Sequence, residues 1–151
     1  MPNEPALRSE IIEAMTTVSR KIRTLFDARV RENGLTLARA RTLLRIARGG
    51  AANQKELAEE LEIETATLVR LIDGLEVQGL IERRNVEGDR RAKHAVLTRE
   101  GTALANVVDG MVQQIRREVL SGIGDADLKV VHAVMKRMTD NLEAAASGPA
   151  E

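Results

Sequence analysis

Two short helical patterns lie only a few residues apart near the middle of the chain, and this spacing limits the available folds. Asn53 and Glu56 have the spacing of a capping box, which predicts a helix over residues 54–60. In residues 65–78, apolar side chains recur every three or four positions until Gly79, a residue typical of a helix C-terminus. Two helices joined by so short a turn predict a helix-turn-helix.

Two segments of alternating polarity follow, residues 80–84 and 94–98, and they predict a pair of antiparallel strands. Between them, Gly88 and Asp89 provide residues typical of a tight turn. We expect this hairpin to be the only β-structure. A helix-turn-helix followed by a hairpin is a winged helix-turn-helix, whose second helix enters the major groove of DNA.

Longer helical patterns flank this central unit. Residues 7–30 predict a long first helix, and Thr36 is placed to cap a shorter second one. After the hairpin, Thr98 is expected to cap a long fifth helix and Asp125 a sixth. The fold class is therefore mainly α with a small β-hairpin wing, a winged helix-turn-helix plus a helical dimerisation region.

The first, fifth and sixth helices carry apolar stripes longer than a compact winged domain could cover. A stripe of this kind needs a partner, which predicts dimerisation. The alternative is a monomeric helical bundle that folds back on the winged domain. The expected organisation assigns 1–34 and 99–146 to the dimerisation region, 35–98 to the DNA-binding domain and 147–151 to a flexible tail.

Composition excludes several classes of function. The chain has no Cys, which removes disulfides, thiol catalysis and Cys-based zinc sites, and its single aromatic residue, Phe26, cannot form a base-stacking platform. Its two histidines, His94 and His132, have no catalytic partners in the sequence, and no glycine-rich phosphate loop occurs. We expect no enzyme activity, no catalytic residue, no cofactor and no metal.

Targeting signals are also missing from the sequence pattern. Residues 1–30 carry charged side chains throughout, so they lack an apolar signal core, and no later stretch approaches membrane-spanning length. We therefore expect a cytoplasmic protein that does not contact a membrane.

Charge is segregated although the totals cancel, with 23 basic and 23 acidic residues. Residues 53–64 hold one cation and five anions, so the first helix of the helix-turn-helix should present little surface to phosphate. Residues 83–93 hold five cations and two anions, which suits contacts to phosphate and to a narrow minor groove. The predicted wing contacts are Arg83, Asp89, Arg90, Arg91 and Lys93.

The outward face of the second helix carries side chains that can contact base edges. Arg70 can bind guanine through two hydrogen bonds, and threonine methyl groups can contact thymine. The alternative is an ordinary solvated helix face. The predicted reading residues are Thr65, Ala66, Thr67 and Arg70.

The segments "NQKELAEELEIETATLVRLIDGLEVQGLIERR" and "EGDRRAKHAVLTREG" resemble the MarR-type bacterial transcriptional regulators, nearest the SlyA-like branch. The resemblance covers nearly the whole chain. Its most specific element is the wing pattern formed here by Asp89 and Arg91, followed by Leu97, Thr98 and Gly101. It implies that Arg91 enters the minor groove while Asp89 helps to hold it.

The resemblance further implies a homodimer that binds a near-palindromic site on double-stranded DNA, and more often a repressor than an activator. Many relatives release DNA when a small phenolic or carboxylate effector enters a crevice beside the winged domain. The implied effector-side residues are Arg20, Ile22, Phe26, Arg39, Ala40, Leu43 and Leu44. Relatives often have a tryptophan where this chain has Ala40, which suggests a roomier pocket.

Residues 29–48 contain six arginines and only one acidic residue, Glu32. Three interpretations remain open: contact with DNA phosphate, binding of a polyanionic effector such as an acyl-coenzyme A thioester, or arginines that are solvated or paired internally. The sequence therefore predicts a ligand-responsive, sequence-specific transcriptional regulator. The alternative is an architectural DNA-binding protein that has no effector.

Overall fold

The computed structural model describes residues 4–50 and 52–148, and the side chains of Ala52 and residues 89–92 lie outside the described part. The chain forms two compact units, residues 1–116 and 117–151. The elements are α1 (Glu4–Arg31), α2 (Leu37–Gly49), β1 (Ala52–Asn53), α3 (Gln54–Glu60), α4 (Thr65–Val77), β2 (Ile81–Val86), β3 (Asp89–Leu97), α5 (Arg99–Val119) and α6 (Asp125–Ala146). The predicted class, mainly α with a winged helix-turn-helix, is confirmed.

The core of the first unit is aliphatic and lies between α2, α3, α4 and the sheet. Each of these helices buries one apolar stripe, which is the reason that the helical periodicity located them correctly. Burying one such side chain contributes roughly 1.5–3 kcal/mol relative to leaving it exposed. The largest fully buried side chains include Leu43, Ile46, Leu57, Leu68, Ile72, Leu75 and Ile81.

Side-chain caps fix the starts of α2 and α3. The backbone N–H of Arg39 donates to Thr36 Oγ1 at 3.3 Å, and the N–H of Glu56 donates to Asn53 Oδ1 at 2.8 Å. Both predicted caps are thereby confirmed. The predicted cap of the sixth helix is wrong by one position, because Gly124 is the N-cap and Asp125 is the first helical residue.

The turn between α3 and α4 is a Schellman motif with an unusual residue in it. The N–H of Ile63 donates to the carbonyl of Ala58 at 3.0 Å, and the N–H of Glu62 donates to that of Glu59 at 3.2 Å. Glu62 has φ 55°, the left-handed conformation that normally favours glycine at this position. A residue with a Cβ atom is therefore held in a strained conformation inside the helix-turn-helix.

Replacing Glu62 by glycine should raise the free energy of unfolding by about 0.5–1 kcal/mol, because glycine adopts the left-handed conformation without steric cost. Urea denaturation measures this change. Glu59→Gly, in the last turns of α3, is the matched control and should lower stability by up to about 1 kcal/mol. Equal destabilisation by both variants would contradict the strain at Glu62.

The sheet has three strands in the order β1, β3, β2, all antiparallel to their neighbours. The wing hairpin is longer than predicted, and its turn is Glu87-Gly88, one residue earlier than expected, with Gly88 at φ 86°. The expectation that the hairpin is the only β-structure is wrong, because Ala52 pairs with Ala95. A two-residue strand is too short to show alternation in the sequence.

The start of α5 packs tightly against the turn between α4 and β2. Thr98 Oγ1 accepts a hydrogen bond from the N–H of Gly101 at 3.0 Å and donates to the carbonyl of Gly79 at 2.6 Å. The N–H of Thr98 donates to the carbonyl of Leu80 at 3.1 Å. A Cβ atom at Gly101 would lie 1.9 Å from that same oxygen, so only glycine fits at this contact.

Two long helices keep much of their apolar surface exposed. None of the residues of α6 is buried. Its exposed apolar side chains are Val130, Val131, Val134, Met135 and Leu142, and those of α1 are Leu7, Ile11, Ile12, Val18 and Ile22. In the described part of the chain, no helix is long and apolar enough to cross a membrane. Of the predicted tail, Ser147 caps α6 and residues 149–151 lie outside the described residues.

Candidate nucleic-acid interface and ligand pocket

The exposed face of α4 carries all four predicted reading residues. Thr65, Ala66, Thr67 and Arg70 are exposed on its first two turns, while Leu68 and others on the opposite face are fully buried. Arg70 forms no salt bridge or side-chain hydrogen bond with another described residue, so its guanidinium is available to an external acceptor. The side chain of Glu64, the N-cap residue of α4, accepts no hydrogen bond from the first backbone N–H groups of this helix.

Of the two predicted wing contacts whose side chains the structure describes, Arg83 and Lys93, Arg83 is paired within the fold. Its guanidinium binds the carboxylates of Asp73 and Glu76 on α4, and only 17% of its side chain is exposed. These two ion pairs hold β2 against the reading helix and neutralise two carboxylates on it. In this structure the side chain therefore supports α4, and its contact with DNA stays a prediction.

The remaining wing residues lie at the tip and along β3. The backbone of Asp89, Arg90 and Arg91 forms the first part of β3, but their side chains are outside the described residues. Lys93 is exposed further along the same strand. Arg84 on β2 is also exposed and pairs with its neighbour Glu82.

A pocket of about 530 Å³ lies in the first unit, between α1, α2, α5 and the end of α3. Its apolar lining consists of Ile22, Phe26, Leu37, Leu44, Leu61, Val112 and Ile115. Its polar lining consists of Ser19, Arg23, Arg41, Arg45, Arg48 and Arg116. The pocket thus combines an apolar surface with five guanidinium groups and contains no acidic side chain in its lining, a pattern suited to an anion with an apolar body.

Two pocket arginines are held by carboxylates outside the lining. Arg45 binds Glu60 through Nε and Nη2, the second at 2.6 Å, and Arg48 Nη2 donates to Asp109 Oδ1 at 2.9 Å. The hydrogen bond from Arg45 lowers the pKa of Glu60, and that from Arg48 lowers the pKa of Asp109. Both carboxylates therefore stay ionised at neutral pH.

Stability should depend on pH through Asp109. Because its folded pKa is depressed, its contribution is fully present above the ordinary aspartate pKa of about 3.9 and is lost as the pH falls through the lower folded value. Asp109→Asn should therefore be less stable than the wild type at neutral pH, and the difference should shrink in acid. Urea denaturation at several pH values measures this, and a pH-independent difference would contradict the ion pair.

The predicted effector residues separate into two groups. Ile22, Phe26 and Leu44 line the pocket, whereas Ala40 and Leu43 are fully buried in the core and do not reach it. α2 turns these two positions toward the core, and their role in effector binding stays a prediction. The suggestion that an alanine at position 40 makes the effector pocket roomier likewise stays a prediction.

The two predicted effector arginines also lie outside this pocket. Arg20 lines a neighbouring pocket along α1, which shares Ser19 and Arg23 with the first pocket. Arg39 donates from Nη1 to Gln78 Oε1 at 3.0 Å, next to the C-terminal end of α4, so it joins α2 to α4. Their role in effector binding stays a prediction.

The sequence already singled out three of the pocket arginines as part of the basic segment 29–48, with an anionic effector as one of three interpretations, but it did not select them as pocket residues. Arg41, Arg45 and Arg48 are spaced four and three residues apart on α2, which places them on one helix face. Arg23 and Arg116 come from other helices, and only the folded chain brings them together.

Comparison with known proteins agrees with this architecture. A model of the MarR family matches residues 33–92, the segment that contains the helix-turn-helix and the wing. The transcriptional regulator PA3341 is 38% identical, with 89% of this chain and 98% of that chain covered and a TM-score of 0.78. The chain belongs to the MarR family of transcriptional regulators. The resemblance seen in its wing pattern is thereby confirmed.

More distant MarR-type structures show the same fold. Streptococcus pneumoniae FabT in complex with DNA has a TM-score of 0.82 at 19% identity, covering 91% of this chain and 99% of that one. The transcriptional regulator SlyA has a TM-score of 0.78 at 21% identity, covering 89% and 95%. As a MarR family member the protein is a transcriptional regulator and not an enzyme.

Proposed function

We propose that this MarR family protein is a homodimeric repressor that binds a near-palindromic operator on double-stranded DNA and is released by a small anionic or aromatic effector. The single observation that carries the proposal is the exposed face of α4. Thr65, Thr67 and Arg70 stand free on its first turns, next to a hairpin rich in cations, while the opposite face is fixed in the core.

The chemistry of this face suits a major groove. Arg70 can donate two hydrogen bonds to guanine O6 and N7, and the methyl groups of Thr65 and Thr67 can contact a thymine methyl. The N-terminal amides and the helix dipole of α4 attract a phosphate. Arg91 at the wing tip is the proposed minor-groove contact, held by Asp89.

The exposed apolar face of α6 supports the homodimer. In proteins most of a helix's stability comes from packing its apolar face, and none of the 22 residues of α6 is buried. A second copy covering this face accounts for its pattern, and a two-fold dimer presents two reading helices to successive major grooves.

The arginine-lined pocket supports release by an effector. It opens beside Leu61, the C-cap residue of α3, and therefore lies next to the turn that leads into α4. A ligand changes DNA affinity only if it binds the DNA-competent and incompetent forms with different affinity. A coupling of about 1–3 kcal/mol is ordinary for such a link.

The proposal is tested on a duplex selected by the protein from a pool of random sequences. Hydroxyl-radical footprinting should show two symmetric protected half-sites about 10 base pairs apart, and sedimentation should show two chains per duplex. No enrichment over random duplex would instead indicate the architectural alternative. A single half-site bound by one chain would contradict the dimer.

A further inference from the structure

The arginines of the pocket outnumber the carboxylates that pair with them. Five arginines line it, and two of these, Arg45 and Arg48, are paired with Glu60 and Asp109. The other three, Arg23, Arg41 and Arg116, form no salt bridge with any residue in the part of the chain that the structure describes. Five positive charges less two negative ones leave a local excess of three positive charges beside an apolar surface.

Arg45 has a buried guanidinium atom without a hydrogen-bond partner among the described residues. Its Nε and Nη2 atoms bind Glu60, but Nη1 is buried and has no hydrogen-bond partner among the described residues. Buried donors are normally satisfied, and one left without an acceptor is destabilising. Nη1 packs against Gly49, so an anionic oxygen would satisfy it only if the Arg45 side chain moved, as it would on leaving Glu60.

Glu60 connects the pocket to the DNA-reading helix. It is the last residue of α3, and Leu61, which follows it, lines the pocket and ends the helix. α4 begins at Thr65, four positions after Leu61. The Arg45–Glu60 pair therefore ties α2 to the end of α3 at the helix-turn-helix turn.

We propose that the effector is an amphiphile whose head group carries two negative charges, and that this head group competes with Glu60 for Arg45. The proposal rests on the effector response proposed above and specifies its ligand class and its route. The apolar body lies on the Ile22, Phe26 and Leu44 side of the pocket. Loss of the Arg45–Glu60 pair frees the end of α3, which loosens the position of α4 and weakens DNA binding.

The ligand class is tested by calorimetry on the DNA-free protein, using octyl phosphate, octanoate, octanol and inorganic phosphate. At about pH 7.5 an alkyl phosphate carries nearly two negative charges and octanoate carries one. Octyl phosphate should bind about 10-fold or more tightly than octanoate, and octanol and inorganic phosphate should bind far more weakly. If octanoate or octanol bound as tightly as octyl phosphate, the proposal of a doubly charged head group would be wrong.

The binding site is tested by removing one positive charge at a time from its lining, on α2 and on α5. Arg41→Gln and Arg116→Gln should each weaken octyl phosphate binding about 10-fold, because each removes an unpaired cation from the lining. Lys21→Gln, which removes one positive charge from an exposed position of α1 outside the pocket, is the matched control and should bind like the wild type. An equal loss of octyl phosphate affinity in all three variants would indicate a general effect of net charge and would contradict binding in this pocket.

The exchange at Arg45 is tested by Glu60→Gln, with Asp109→Asn as the matched control. Glu60→Gln should bind octyl phosphate more tightly than the wild type, and the ligand should no longer change its affinity for DNA. Asp109→Asn removes the other carboxylate that pairs with a pocket arginine but should keep the coupling to DNA. Full coupling in Glu60→Gln would overturn the exchange.

The exchange also has a readout without DNA. In wild-type protein the nuclear magnetic resonance signal of the Arg45 Nε proton should shift during titration with octyl phosphate, and an unchanged signal at saturation would overturn the exchange. Failure of the protein to bind any selected duplex would refute the proposed function, whereas the calorimetric and resonance measurements would still decide the ligand class and the role of Arg45.

Discussion

Replacing Gly101 by alanine should destabilise the protein by about 3 kcal/mol or more, the largest loss expected from adding a single methyl group. The added Cβ atom would lie 1.9 Å from the carbonyl oxygen of Leu80, which is backbone and cannot rotate away. That oxygen also accepts the N–H of Thr98, so moving it breaks the hydrogen bonds that join α5 to the wing. Urea denaturation, or loss of soluble expression, measures the effect.

The same helix provides a matched control. Gly110 lies on α5 with no atom near the position of an added Cβ. Because glycine is unfavourable inside a helix, Gly110→Ala should stabilise the protein by about 0.5–1 kcal/mol. Similar effects of the two substitutions would contradict the close contact at Gly101.

The double substitution Arg70→Ala and Arg91→Ala should weaken binding to the selected duplex by about 100-fold or more. Arg70 is proposed to contact a base in the major groove and Arg91 to enter the minor groove, and each such contact contributes about 1–3 kcal/mol of discrimination or affinity. The two residues lie on different elements, so their effects should add. Fluorescence anisotropy with selected and scrambled duplexes measures both affinities.

Arg84→Ala is the control that distinguishes base-specific contacts from electrostatic attraction to DNA phosphate. Arg84 is an exposed wing cation that pairs with Glu82, so its loss should weaken binding to both duplexes equally and make the salt dependence slightly shallower. The double variant should lose its preference for the selected duplex. An unchanged preference in the double variant would refute the assigned reading residues.

The sequence was sufficient to predict elements whose signal is local. The caps at Thr36 and Asn53, the apolar stripe of α4 and the stop at Gly79 depend on residues a few positions apart, and all appear in the structure. Strand β1 could not be predicted, because its two residues are defined only by their pairing with β3.

The candidate sites also differ in how far the sequence could predict them. The reading face of α4 follows from helical periodicity, so its four residues were predicted together. The orientation of Arg83 depends on two carboxylates on another element, and the pocket depends on arginines from three helices. These side-chain positions depend on ion pairs between residues far apart in the sequence, and such pairs leave no repeating pattern from which they could be predicted.

The central claim is that α4 and the wing read a specific DNA sequence. The most direct measurement is the affinity of the wild-type protein for its selected duplex against a scrambled duplex of equal composition, at physiological salt. We predict a preference of about 1,000-fold or more. Equal affinity for the two duplexes would contradict sequence reading and leave only charge-driven binding.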